Sequence, residues 1–410
     1  MRGEHRATVL ALAAAMSLSL LGDQLLYAVL PSRPDAAGIA VAALGVILSA
    51  NRFIRLGANS LGGVLCDRFG RRRPFLAGMA LAVVSTAAYW LTSGFWPLLA
   101  ARLVWGVAFA LLSVAGLSIV LDVTTRADRG RTVGFYHALV QSGNLLGLVA
   151  SGVLTDLLGY RGTLALYVPL TALGGGVAYF VLRETNPANG GMDTTPASLW
   201  TAFGRLDRRL LAPGYIGFAS YFAGNGILMA TLGASLKEQL GPSAVPVASL
   251  TGILLASRKL PVMVSAPVAG YLSDRSGDRR LVAGAGALTI CAGFVVLATG
   301  SGLPLFVTGV VLTALGEGVL HPSLAAWIGD ATPPELRGVV MGGYATANDL
   351  GGATGPIVGY AVAAALGFAW AYGLCVALMA TALAVLAIGQ PGRGSGVPPS
   401  WPSGLALTSY

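Results

Sequence analysis

The sequence predicts an all-α membrane protein, with twelve transmembrane helices in two pseudo-symmetric six-helix bundles and both termini in the cytoplasm. Three observations carry that expectation. Of 410 residues, 55% are hydrophobic and only 10% are charged, too few polar side chains to cover a soluble globule and too apolar for a disordered chain. Twelve apolar runs each approach the roughly 20 residues that cross a hydrocarbon core. The Lys and Arg residues concentrate on alternate connections, the distribution that sets membrane topology.

The runs are 7–30, 38–61, 74–93, 95–121, 132–155, 163–182, 213–236, 246–271, 281–299, 303–329, 338–364 and 367–389. The first resembles a secretory signal, but its apolar character continues past Asp23 to Leu30, so it is read as a span. The later runs are longer and more continuous than the ten-residue alternating strands of a spanning barrel. With the N-terminus inside, the inner connections and tails hold 18 Lys and Arg, the outer connections hold Arg33, Arg161 and Lys237, and five fall within spans. The net charge of +9 is therefore a topology signal, and no nucleic-acid partner is assigned to it. Residues 186–212, rich in Gly, Pro and Thr, read as a cytoplasmic linker between a first bundle (1–185) and a second (213–390), and 391–410 as a flexible tail. The 57 glycines suit close packing of membrane helices.

The two halves repeat each other. GGVLCDRFGRRRP after the second span matches AGYLSDRSGDRR after the eighth, at an offset of 207 that places Asp67 on Asp274. LDVTTRADRGRTVG and GDATPPELRGVVMG match at an offset of 208, placing Asp122 on Asp330. A parallel repeat implies a pseudo-two-fold axis along the membrane normal, with the substrate site at the interface of the repeats.

The run Gly63-Val64-Leu65-Cys66-Asp67-Arg68-Phe69-Gly70-Arg71-Arg72 resembles the loop signature of the major facilitator superfamily. Arg102-Leu103-Val104-Trp105-Gly106 is similar to that superfamily's motif in the fourth helix. The resemblance covers residues 7–389 and, in its motifs, leans to the drug/proton antiporter branch. It implies two bundles that rock about a central cavity, and links Arg102 with proton handling. The glycine motif of that branch's fifth helix is present without its proline (Gly143 to Leu148), whereas Gly351 to Pro356 in the eleventh span has the proline. Gly63, Asp67, Arg68, Gly70, Arg71, Asp122 and Asp274 form the expected conformational latch. Asp67 would accept hydrogen bonds from the start of the eleventh helix near Gly338 to Gly343, and Arg68 and Arg71 would bridge to Asp122.

A charge inside a span costs about 3 kcal/mol or more unless it has a partner or a wet cavity, so each marks a candidate site. Asp23 and Tyr27 lie one turn apart in the first span; Asn51, Arg55 and Asn59 form a stripe in the second, flanked by Arg52. The eighth span carries Arg258 and Lys259, and the repeat places Lys259 on Arg52. Asp23, Tyr27, Arg52, Arg55, Asn59, Asn225 and Lys259 are the expected substrate-binding set. Asp23, Arg102, Glu317, His321 and Asp349 are the expected proton-coupling set. Two readings stay open: structural ion pairs, with Asp23 on Arg52 or Arg55 and Glu317 or Asp349 on Lys259, or basic groups that hold an anionic headgroup while the acids relay protons. The five basic groups exceed the three acids by two, and an unpaired cation at low dielectric asks for an anion. His137 is expected in the core.

The three cysteines have no ligand-like spacing, no nucleophile–base pair stands out, and no phosphate loop is present. The expectation is a monomeric, proton-coupled secondary transporter of the inner membrane, with no enzyme activity, no metal and no cofactor. Its cargo would be a small organic anion or amphipathic molecule, with export favoured. Anion uptake by symport or exchange, and lipid or lysolipid flipping, remain open as alternatives.

Overall fold

In the computed structural model, the described residues are 3–124, 129–185, 208–241, 246–276, 278–332 and 337–388. They are helical throughout, with no strand among them, and ten segments are long and apolar enough to cross a membrane. The first rod, α1, is Gly3–Ser19 continued by Leu21–Val29. Then come α2 (Leu44–Phe69), α3 (Arg72–Leu91) and α4 (Phe95–Asp122). Arg129–Val181 would be about 80 Å long if straight, far beyond a bilayer. Gly159, at φ 74° and ψ 167°, a conformation open to glycine, turns the chain back and divides it into α5 (129–158) and α6 (160–181).

The second half begins with α7, which runs Arg208–Ser220, Tyr221–Leu228 and Met229–Leu240. It is followed by α8 (Val247–Ser257 and Lys259–Ser276), α9 (Arg279–Thr299) and α10 (Leu303–Ala331). The last rods are α11 (Arg337–Leu366) and α12 (Phe368–Ile388). The helical start at Arg208 falls inside the expected linker; 186–207 and 389–410 lie outside the described residues.

Within the halves, α2 packs on α4 and α9 on α10. Two seams join the halves: α2 against α11, and α5 against α8. Both are tight at the end opposite the basic loops. A side chain on Gly152 would strike the Ala248 carbonyl, and one on Gly252 the Leu148 carbonyl, so backbones touch where α5 meets α8. There Asp156 of α5 accepts 2.7 Å bonds from both the N–H and the hydroxyl of Ser249, in the first turn of α8, and an ion pair from Arg33 at 2.7 Å. A carboxylate at a helix N-terminus is favoured by the helix dipole. Lys237 Nζ donates to the Ser32 carbonyl at 2.7 Å, a second clasp between the halves.

Toward the basic loops the halves part. On α8, Met263 is 66% and Val264 68% exposed. His137, Ala138 and Gln141 on α5 are also exposed, and the space over Gly57, Gly134, Gly342 and Gly343 is empty. The molecule is closed at one end and open at the other. His137 is thus not a core residue, as its apolar surroundings in sequence suggested.

Candidate functional site

The mid-membrane charges sort into three ion pairs and two unneutralised cations. The first pair is structural in geometry. Arg102 of α4 is fully buried and meets Asp23 of α1 in a short ion pair. Its Nε donates to the Ile47 carbonyl at 3.0 Å, and Nη2 to Asn51 Oδ1 at 2.8 Å and Tyr27 Oη at 3.3 Å. Tyr27 Oη in turn donates to the Leu48 carbonyl at 3.1 Å. The guanidinium fork thereby ties α1, α2 and α4 together. Asp23 does not pair with Arg52 or Arg55, and Tyr27 is committed to this network.

The second pair is held by two irregular helices. Pro261 has no N–H for the Ser257 carbonyl, and α8 breaks between Ser257 and Lys259, the residue between them being Arg258. Across from it, Tyr221–Leu228 of α7 is a π-helix, a widened turn often found at functional sites. Its Gly224 carbonyl accepts from Arg258 Nη1 at 3.4 Å, while Arg258 Nη2 donates to Glu317 Oε1 of α10 at 2.6 Å. Any side chain at Gly224 would collide with that carboxylate. Glu317 thus takes Arg258, not Lys259. His321, one turn on, stacks edge-on against Tyr221 at 4.9 Å and reaches Ser220 Oγ at 3.5 Å. Asn225 sits half-buried in the same π segment.

The third pair crosses between the halves. Arg55 Nη2 of α2 lies 3.4 Å from both oxygens of Asp349 on α11, so Asp349 takes Arg55 and not Lys259. The Arg55 guanidinium rests on the Phe109 ring, 4.3 Å from its centroid, and its Nε has no hydrogen-bond partner. Asn59 Oδ1, one turn below on α2, is also buried without a partner.

Arg52 and Lys259 remain. Both are half-buried, and among the described residues no carboxylate lies within 4.0 Å of either. Arg52 reaches across to the second half, against Gly352 and 4.0 Å from Met229 Sδ. It is near enough to Lys259 for each charge to act on the other. The structure thus gathers Arg52, Arg55, Asp349, Glu317 and His321 about Tyr221, with Lys259 beside Arg52 and Glu317, and holds Asp23, Tyr27 and Arg102 in a separate buried network. An apolar cavity of about 380 Å³, lined by Tyr215, Phe218, Ile328, Tyr344 and Leu350 among others, has none of these charged residues in its wall.

At the basic loops, Arg71 holds Asp67 at 2.7 Å and Asp122 at 3.5 Å. Burial works against the Arg71 charge, but the Asp67 hydrogen bond and the Asp122 charge outweigh it and raise the Arg71 pKa. The second half repeats the link: Arg279 holds Asp330 at 3.0 Å. Arg68 lies on the Phe69 ring instead of reaching Asp122. Asp67 spends its hydrogen bond on Arg71 and is more than half exposed, at 57%. Gly63 faces open space, and the Asp274 side chain lies outside the described residues. Gly70 takes φ 81°, and the Glu184 carboxylate beside it accepts the Arg71 and Arg72 N–H groups at 2.7 and 3.2 Å.

Sequence reasoning missed Glu184, Phe109, Tyr221, Asp156 and Ser249. Two carried a signal: Asp156 and Glu184 are acids just beyond the fifth and sixth spans.

A family model of the Major Facilitator Superfamily matches residues 12–222 and 214–409. The chain belongs to the Major Facilitator Superfamily. Among curated relatives, the class C tetracycline resistance protein of Escherichia coli is 28% identical over 337 residues, covering 80% of this chain and 81% of its own. Multidrug resistance protein 2 of Bacillus subtilis is 21% identical over 363 residues, covering 87% and 88%. Among solved structures, a bacterial homolog of the human lysosomal transporter Spinster, inward-facing and occupied, superposes with a TM-score of 0.80 at 15% identity, covering 95% of this chain and 97% of that one. This superfamily protein is a transporter and not an enzyme, a multi-pass membrane protein of the kind found in bacterial inner membranes.

Proposed function

We propose that this transporter moves a small organic anion, or an amphipathic molecule with an anionic head, across the inner membrane by alternating access, with protons as the coupling ion. One observation carries the reading: Arg52 and Lys259, related by the internal repeat and placed on opposite bundles, have no carboxylate within 4.0 Å among the described residues. Two such cations in low dielectric are costly unless an anion joins them. Arg55, Asn59 and Asn225 complete the pocket, with Glu317, His321 and Asp349 as acid–base groups nearby.

With the basic loops and both termini in the cytoplasm, the open end faces inward. Residues 1–185 rock as a monomer against 213–390. In the opposite state Asp67 docks at the start of α11, with Gly63, Arg68, Gly70, Arg71, Asp122 and Asp274 as its surroundings. Export is favoured by the resistance named in both curated relatives. Uptake by proton symport is a second reading, favoured by the long Arg55–Asp349 contact.

A thermal-shift screen of purified protein against organic anions, repeated with Arg52→Ala and Lys259→Ala, tests the anion reading. Stabilisation by an anion should vanish in both variants; stabilisation that persists in both ends it. In liposomes, an inward proton gradient should empty preloaded vesicles for export and fill them for uptake.

A further inference from the structure

We infer that the cargo is a divalent anion, a compact dicarboxylate or a phosphate monoester, whose two charges are shared between Arg52 and Lys259. The inference rests on the anion reading above and narrows it. Four cations, Arg52, Arg55, Arg258 and Lys259, gather about Tyr221 and Glu317 with two carboxylates, Glu317 and Asp349. Each carboxylate is taken by one arginine, Glu317 by Arg258 at 2.6 Å and Asp349 by Arg55 at 3.4 Å. The surplus among the described residues is therefore two positive charges. The Asp23–Arg102 pair is neutral in itself and leaves that surplus unchanged. A monovalent anion leaves one of the two cations uncompensated at low dielectric, and a divalent one leaves neither. Two monovalent anions would also restore neutrality, but they repel each other and lose translational freedom twice.

Hydrogen bonding leads to the same ligand by a separate route. Arg102 and Arg258 donate to protein oxygens, carboxylate and carbonyl alike. Arg52 meets only Met229 Sδ, at 4.0 Å, and a thioether is a weak acceptor. Lys259 donates to no protein acceptor among the described residues. A guanidinium fork and an ammonium are thus left with several donors each, and two carboxylates or one phosphate bring the acceptor oxygens that match them. Neither cation owes its position to a counter-ion. Arg52 lies across α11 where Gly352 leaves room, and a side chain there would strike its Nη1. Lys259 follows Arg258, which is anchored to Glu317 and to the Gly224 carbonyl. Backbone features therefore hold two like charges, one on each bundle and related by the repeat, close enough to act on each other. Cations so placed favour a ligand whose anionic groups are themselves close together.

The test compares matched ligands that differ by one charge: phthalate, succinate and phenyl phosphate, each against its monomethyl ester, titrated calorimetrically into the purified full-length protein in nonionic detergent. At about pH 7.5 the parent compounds are divalent and the esters monovalent. At least one parent should bind wild type about tenfold or more tighter than its ester, a comparison that needs no variant. Preference within the carboxylate pairs or within the phosphate pair identifies the class. In Lys259→Gln, and in Arg52→Gln, the ratio should fall to about one, whereas Lys259→Arg, which keeps the charge, should retain it. Esters that bind wild type as tightly as their parents, or a preference that survives the loss of either cation, overturn the inference and leave the anion reading standing. Failure of every ligand to bind wild type, or binding indifferent to both glutamine variants, overturns the anion reading itself and the inference with it.

Discussion

Arg102 and Arg52 carry the same group at similar depth, yet their surroundings give them opposite roles. Arg102 has an acid and several oxygen acceptors, so it stabilises the fold only while Asp23 is ionised beside it. Asp23→Asn should leave a buried uncompensated charge and cost about 3–5 kcal/mol, seen as a large drop in the melting temperature of the detergent-solubilised protein. Arg52→Gln should do the reverse. It relieves repulsion with Lys259, so the empty protein should melt at the same or a higher temperature while transport falls at least about tenfold. A melting temperature that drops in Arg52→Gln as far as in Asp23→Asn would mean Arg52 is a structural residue.

Helix irregularity is the device at the next scale. Pro261 interrupts α8 beside Arg258 and Lys259, and the π-helix of α7 presents the Gly224 carbonyl to Arg258. Pro261→Ala restores the donor for the Ser257 carbonyl, so α8 should gain helix stability on the order of 1 kcal/mol or more. The same change should rotate Lys259 relative to Arg52, so transport of an organic anion in liposomes should fall even as the protein melts higher. The rods themselves were largely legible: the apolar runs at 74–93, 281–299 and 303–329 agree closely with α3, α9 and α10. The breaks were not legible. The π turn packs chiefly against α11 and α12, and the sequence YFAGNGIL has no local signature that requires it.

Across the whole molecule, closure at the end far from the basic loops depends on Asp156 capping α8 and on bare backbones at Gly152 and Gly252. Asp156→Asn weakens a cap worth about 1 kcal/mol and should shift the balance between open states about fivefold. Cys66 and Cys375 are buried, so with the half-buried Cys291 replaced by Ser a cysteine placed at exposed Gln141 can report the shift through its rate of labelling by a water-soluble maleimide. That rate should fall in Asp156→Asn, and fall further in Gly152→Leu, where the seam cannot close. Unchanged labelling in both would show that the seam does not govern access to the cavity.

Composition, apolar run length and the duplicated GxLxDRxG loop were sufficient by themselves for a helical membrane protein of this superfamily, because lipid imposes its demands on every span separately. The surplus of two cations could also be counted in the sequence. Which two are unneutralised could not. Asp23 finds Arg102 79 residues away, Glu317 finds Arg258 at 59, and Asp349 finds Arg55 at 294. Helical spacing constrains neighbours on one rod, but a pair between rods is decided by how the rods are rotated and tilted. That rotation is a balance of packing over the whole bundle, and only the tertiary structure resolves it.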